Sequence, residues 1–221
     1  MTWVKICGMT NLEDALVAVE AGADAVGFVF YEKSPRCVTV ETAREIARRL
    51  PERIDRIGVF VNEVPEHISE ITDEAGLTAV QFHGDEWKNP GEYSVNRDAF
   101  FGLPMLEMVR DPSTAIHSLR NVESFPNLAG FLLDSGTAEK RGGTGKAFPW
   151  GDALSFSSLK TLRRIVIAGG LTPDNVGRAV GYLKPWGVDV ASGVEARPGK
   201  KDPEKVRAFV QAVREYDRKA G

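Results

Sequence analysis

The chain has 221 residues, 43% hydrophobic and 27% charged, with a formal net charge of −3. One large domain fits that length, and its core can be sizeable without a disulfide or metal staple. A mildly acidic balance with both signs interspersed excludes the basic stripe that nucleic acid requires and disfavours an anionic membrane surface, so an anionic ligand must be held by a local feature.

The chain opens on MTWVKICGMT, with no basic region leading into an apolar stretch, so no signal peptide is expected. The first short apolar run, Trp3–Cys7, ends on a thiol. Thr10 and Glu13 then have capping-box spacing ahead of Leu16 and Val19. Ala25–Phe30 is the second run, followed by the loop Lys33-Ser34-Pro35-Arg36. Ile57–Val61 stops before Asn62, and Thr78–His83 closes on a histidine. Beyond it, Pro90 and Gly91 stand where a fourth helix should start, so a short or distorted helix is expected over 86–101. Leu103–Val109 and Gly130–Asp134 are the fifth and sixth runs. A glycine-rich stretch, Arg141-Gly142-Gly143-Thr144-Gly145-Lys146, comes next. It lacks the spacing and the final Ser or Thr of a nucleotide loop, and a mobile loop over 139–147 that closes on substrate suits it better.

Ile165–Ala168 leads into Gly169-Gly170, and Thr172-Pro173 opens a helix whose Val176, Ala179, Val180 and Leu183 follow i, i+3, i+4, i+7. Val188–Ala191 is the eighth run. Asp202-Pro203 opens a last helix bearing Val206, Phe209, Val210 and Val213. Short runs rich in Val, Ile and Phe predict parallel strands buried on both faces. Eight of them alternating with helices in one domain, 1–221, predict an α/β fold closed as a (β/α)₈ TIM barrel, with an open doubly wound sheet as the alternative.

Barrel active sites lie at the C-terminal strand ends, which here carry Cys7, Asn62, His83, Asp134, Gly169-Gly170 and Ser192-Gly193. Beside a helix start, the Cys7 thiolate would be favoured by the dipole; the plainer reading is a buried cysteine that packs. Asp134 closes an apolar run, so desolvation would raise its proton affinity, unless it only caps the next loop. Arg36 has a planar fork suited to a carboxylate, although a loop arginine is commonly solvated. His83 reads equally as a core histidine, and nothing sets His67 or His117 apart. Gly169, Gly170, Ala191 and Ser192 lie in the loops after strands seven and eight, where barrels recurrently bind phosphate through backbone N–H groups. Cys7 and Cys37 are too few for a disulfide framework and show no zinc spacing, so no metal is expected. With no apolar run long enough for a membrane span, the sequence predicts a cytoplasmic protein.

Several of these segments stand together in one known order. Lys5-Ile6-Cys7-Gly8-Met9-Thr10, Ser34-Pro35-Arg36, Gln81-Phe82-His83-Gly84-Asp85 and Leu133-Asp134-Ser135 come first. Gly142–Lys146, Ala168–Asn175 and Val188–Glu195 complete the set. So ordered, the chain resembles the phosphoribosylanthranilate isomerase family, and only 86–101 departs from it. The resemblance implies an Amadori rearrangement in tryptophan biosynthesis, with Cys7 as general base and Asp134 as general acid. It also implies Arg36 on the anthranilate carboxylate, and His83 and Asp189 lining the site. The implied partner is a small phosphorylated substrate, with no cofactor; the chain would be a monomer or homodimer. Rival readings are another phosphosugar barrel of amino-acid biosynthesis, a thiol hydrolase using Cys7 and His83, and a non-catalytic phosphate-binding barrel.

Overall fold

The computed structural model describes residues 1–84, 103–109, 128–134 and 164–220. The expected helix over 86–101, the loop 139–147 and His117 lie outside them.

Eight parallel strands close into a barrel in chain order. They are β1 (Trp3–Cys7), β2 (Ala25–Phe30), β3 (Asp55–Phe60), β4 (Ala79–Phe82), β5 (Met105–Val109), β6 (Leu128–Asp134), β7 (Arg164–Ala168) and β8 (Gly187–Val190). The expected TIM barrel is therefore present. β1 completes the ring by pairing with β8, Lys5 against Asp189. Five described helices flank it: α1 (Leu12–Ala21), α2 (Val40–Ala47), α3 (Pro65–Ala75), α4 (Pro173–Leu183) and α5 (Pro203–Ala220).

The alternation of side chains along each strand builds two cores. Outward residues such as Val4, Ile6, Phe28, Phe60 and Phe131 pack against the apolar faces of the helices, including Val176 and Val180 of α4 and Val206 and Phe209 of α5. Inward residues fill the barrel in small groups, with Ala25, Ile57, Ala79 and Leu106 together. At its N-terminal end Trp3 stacks on Trp186 at 5.0 Å between ring centres, and the Arg164 guanidinium lies 4.5 Å over Trp186. Aromatic and cation–π contacts close that mouth.

Helix starts follow the local chemistry, with one shift. α1 is capped by Asn11, whose Oδ1 accepts from the Asp14 N–H at 2.9 Å, and not by Thr10. The Thr10 hydroxyl instead donates to the Gly199 carbonyl. Thr172 and Asp202 start α4 and α5 as expected: Thr172 N–H donates to Asn175 Oδ1 (2.8 Å), and Asp202 Oδ1 accepts from Glu204 N–H (2.9 Å). Strands β3 and β4 end one residue sooner than their apolar runs suggested. Val61 and His83 therefore begin the loops, and Asn62 sits at a positive φ of 53°. A short antiparallel hairpin, β9 (Glu195–Arg197) with β10 (Lys200–Lys201), follows β8 and was not anticipated.

Candidate active site

The C-terminal strand ends enclose a cavity of about 580 Å³. Cys7, Arg36, His83, Asp134, Asp189 and the loops Gly169-Gly170 and Ala191-Ser192 all line it, so the residues singled out in the sequence converge on one place.

Beneath the cavity runs a polar column that the sequence did not advertise. Lys5 stands two residues before Cys7 on the same inward face of β1 and is wholly buried. Its ammonium lies 3.1 Å from Asp189 Oδ1 and donates to Gln81 Oε1 at 2.8 Å. Gln81 Nε2 lies 3.2 Å from His83 Nδ1, and His83 Nε2 lies 3.8 Å from Asp134 Oδ2. Burial alone would pull Lys5 down, but Asp189 and Cys7 outweigh it and hold the ammonium above its usual range. The same surroundings act oppositely on the thiol. Burial pushes Cys7 up, Asp189 adds to this, and Lys5 only partly counters it. The expected help from a helix dipole is absent, because α1 begins at Leu12 and Gly8–Asn11 intervene. Lys5 is the larger cationic influence on Cys7, and Lys201 adds to it. Space for Cys7 and Lys5 comes from Gly27, where a Cβ would lie 2.7 Å from the Cys7 Sγ and 3.0 Å from Lys5 Cε.

Arg36 departs from its expected role as an open clamp. Its Nε and Nη2 both donate to Glu195, each at 2.7 Å, so one edge of the fork already holds a carboxylate. Glu195 also accepts from the buried Lys201 ammonium at 3.0 Å. Burial would raise the Glu195 carboxyl, but Arg36 and Lys201 outweigh it and hold it below the usual range. Asp14 ties the same hairpin to α1: it accepts from Lys200 Nζ and from the Lys201 N–H, both at 2.7 Å. Arg36 is thereby braced, and its remaining Nη1 edge is the one free of Glu195.

The two glycine loops are packed together. A Cβ on Gly193 would lie 1.8 Å from the Leu171 carbonyl oxygen, a distance that only glycine allows. Gly169 and Gly170 have φ of 82° and 65°, the left-handed region that suits them. Asn175 fixes their course by donating from Nδ2 to the Gly170 carbonyl at 2.9 Å. Lys5, Gly27, Gln81 and Glu195 stand in the motifs behind the family resemblance, but the sequence reading gave none of them a role of its own. The available signal was parity: Lys5 and Gln81 each precede a candidate site residue by two.

The family model described as N-(5'phosphoribosyl)anthranilate (PRA) isomerase matches residues 4–212. N-(5'-phosphoribosyl)anthranilate isomerase of Geotalea daltonii is 46% identical over 217 residues, 97% of this chain and 98% of the relative. The Rubrobacter xylanophilus protein of the same name is 47% identical over 214 residues, 97% and 100% respectively. Among solved structures, phosphoribosyl anthranilate isomerase from Thermotoga maritima is similar with a TM-score of 0.83 at 42% identity, covering 97% of this chain and 100% of its own. A phosphoribosyl anthranilate isomerase in complex with reduced 1-(o-carboxyphenylamino)-1-deoxyribulose 5-phosphate is similar at 0.80 and 40%, with the same coverage.

Proposed function

We propose how this site works from an established premise: the chain belongs to the N-(5'-phosphoribosyl)anthranilate isomerase family. It is an isomerase of tryptophan biosynthesis that converts N-(5-phosphoribosyl)anthranilate to 1-(2-carboxyphenylamino)-1-deoxyribulose 5-phosphate. Oxidation at C2′ and reduction at C1′ occur within one molecule, so atoms and electrons balance without a second reactant.

In our reading Asp134 gives a proton to the ribose ring oxygen. The ring C1′–O bond breaks as the nitrogen lone pair forms an iminium at C1′. Cys7, as thiolate, then removes the C2′ proton. The C–H electron pair becomes the C1′–C2′ double bond, the iminium electrons return to nitrogen, and the resulting enol tautomerises to the ketone. The observation that carries this is placement. Cys7 ends β1 and Asp134 ends β6, so acid and base reach one cavity from separated parts of the ring. Both groups are buried at the cavity, and a thiolate formed against burial is a strong base.

The phosphate is read into the loops of Gly169, Gly170, Ala191 and Ser192, and the anthranilate carboxylate onto the free edge of Arg36. Asp189, held by the Lys5 ammonium at 3.1 Å, lines the cavity and is read as lining the bound sugar. A cysteine–histidine hydrolase is disfavoured, because the His83 ring nitrogens face Gln81 and Asp134. The same reading takes 1–221 as one domain and keeps the enzyme in the cytoplasm with its phosphorylated substrate. No helix among the described residues is long and apolar enough to cross a membrane.

The test follows loss of anthranilate-type substrate fluorescence during turnover. Cys7→Ser and Asp134→Asn should each lower kcat by about 10²–10⁴ with KM little changed. Asp134→Asn should process a ring-opened analogue far better, relative to wild type, than the closed substrate. Equal losses on both substrates would remove Asp134 as the ring-opening acid, and near-normal turnover by Cys7→Ser would remove the thiol as base.

A further inference from the structure

Gln81 lies outside the acid and base pair, yet it touches the groups on both sides of it. We propose that Gln81 is a positioning residue for the isomerisation: anchored by the Lys5 ammonium, its amide holds His83 as the neutral Nε2–H tautomer. An N–H, not a lone pair, is thereby aimed at Asp134. The inference rests on the reading of Asp134 as general acid.

The chain of reasoning uses only donor and acceptor chemistry. A lysine ammonium has protons to give and no lone pair, so the Gln81 atom 2.8 Å from Lys5 Nζ must be the carbonyl oxygen. Asp189 on the far side of Lys5, at 3.1 Å, keeps that ammonium charged, which removes any doubt about its direction of donation. The amide orientation is thereby settled. The group 3.2 Å from His83 Nδ1 is the NH₂, which donates only. Nδ1 must accept, so it carries no proton. In a neutral imidazole the proton then resides on Nε2, the nitrogen 3.8 Å from Asp134 Oδ2. That separation exceeds a formed hydrogen bond, and catalytic contacts commonly tighten from such distances.

The consequence bears on which oxygen of Asp134 holds the acid proton. With Nε2–H facing Oδ2, that oxygen is the acceptor and the proton is left on Oδ1. After transfer to the ring oxygen, the same N–H stabilises the carboxylate that remains. The opposite tautomer would turn a lone pair toward Oδ2. Histidine would then compete with the substrate for the acid proton. The identity of the protonated nitrogen is set by what the other nitrogen bonds, here Gln81.

Long-range ¹H–¹⁵N spectra of the labelled, substrate-free enzyme read the tautomer directly. The chain has three histidines, and the His83 signals are identified by their loss in His83→Asn. The expected wild-type result is an unprotonated Nδ1 and a protonated Nε2. Gln81→Glu offers His83 an acceptor where a donor stood, so Nδ1 should gain a proton. Its kcat should fall about 10–100-fold, because the His83 lone pair would then compete with the substrate for the Asp134 proton. KM should stay within about threefold. Gln81→Met, without donor or acceptor, should show mixed tautomers and a smaller loss. Protonated Nδ1 in the wild type would overturn the proposal, and that measurement needs no variant to fold. Lost kcat with unchanged His83 signals would reduce Gln81 to packing and overturn it too, as would a changed tautomer at unchanged kcat. Because the tautomer is read without turnover, failure here is separable from failure of Asp134 as the acid.

Discussion

Cys7 is caught between a buried setting that favours the thiol and a buried ammonium that favours the thiolate. Burial wins, and the thiol lies above its ordinary range. The sign for catalysis follows directly. A base works when deprotonated, so kcat/KM should rise with pH and level only beyond the ordinary thiol value of about 8.5. Measured from pH 6 to 10, the ascending limb should sit above that value in wild type and vanish from the residual activity of Cys7→Ser. A limb near pH 6–7 that persists in Cys7→Ser would assign the base elsewhere. Parity in the strand explains why Lys5 was missed. Lysine in an apolar run ordinarily marks an edge or a strand end, and its counterion Asp189 is remote in sequence, so nothing local revealed that the pair is internal. Asp134, by contrast, was legible because it terminates its own apolar run.

Among elements, the strands were legible and the hairpin was not. Parallel strands covered on both faces must be apolar along their length, and that requirement is written in each run. Helices α4 and α5 announce themselves by Thr172-Pro173 and Asp202-Pro203. The β9–β10 hairpin has no apolar alternation, and charged contacts with distant residues hold it: Glu195 to Arg36, and Asp14 to Lys200 and Lys201. Those contacts give the hairpin a task. Glu195 occupies one edge of Arg36 and so directs the other. Glu195→Gln keeps the shape but offers one acceptor oxygen where two charged bonds stood. In the proposed reading KM should rise about tenfold, with kcat within about threefold. Stability should also drop, because Lys201 keeps a buried charge without its counterion. An unchanged KM would mean that Arg36 holds its course without this support. The barrel ring was thus readable from local pattern, whereas the Arg36 brace arises only once the chain has folded.

At the scale of the molecule, α5 joins the two ends of the chain. Asp217 accepts from the Thr2 N–H at 2.9 Å and from its hydroxyl at 2.7 Å. Arg214 donates to the Gly22 carbonyl at 2.9 Å and to Asp24 Oδ2 at 2.8 Å, while Asp24 Oδ2 also accepts from Val4 N–H at 2.8 Å. Losing the charged bonds of Arg214 should cost about 2 kcal/mol. In a protein of this size Arg214→Ala should then melt about 4–8 °C lower, followed by calorimetry, with kcat at 25 °C retained. An unchanged melting temperature would mean that apolar packing of α5 alone holds the ends. The pairing of β1 with β8 also has a consequence in time. A chain made from its N-terminus produces Lys5 and Cys7 early and Asp189 and α5 late. Until β8 arrives, β1 has one open edge and Lys5 lacks its counterion. The seam between first and last strand therefore shuts only after β8 has been made. Catalytic competence then reports that the ring has closed, and a nascent chain that stalls before β8 is inert toward its substrate.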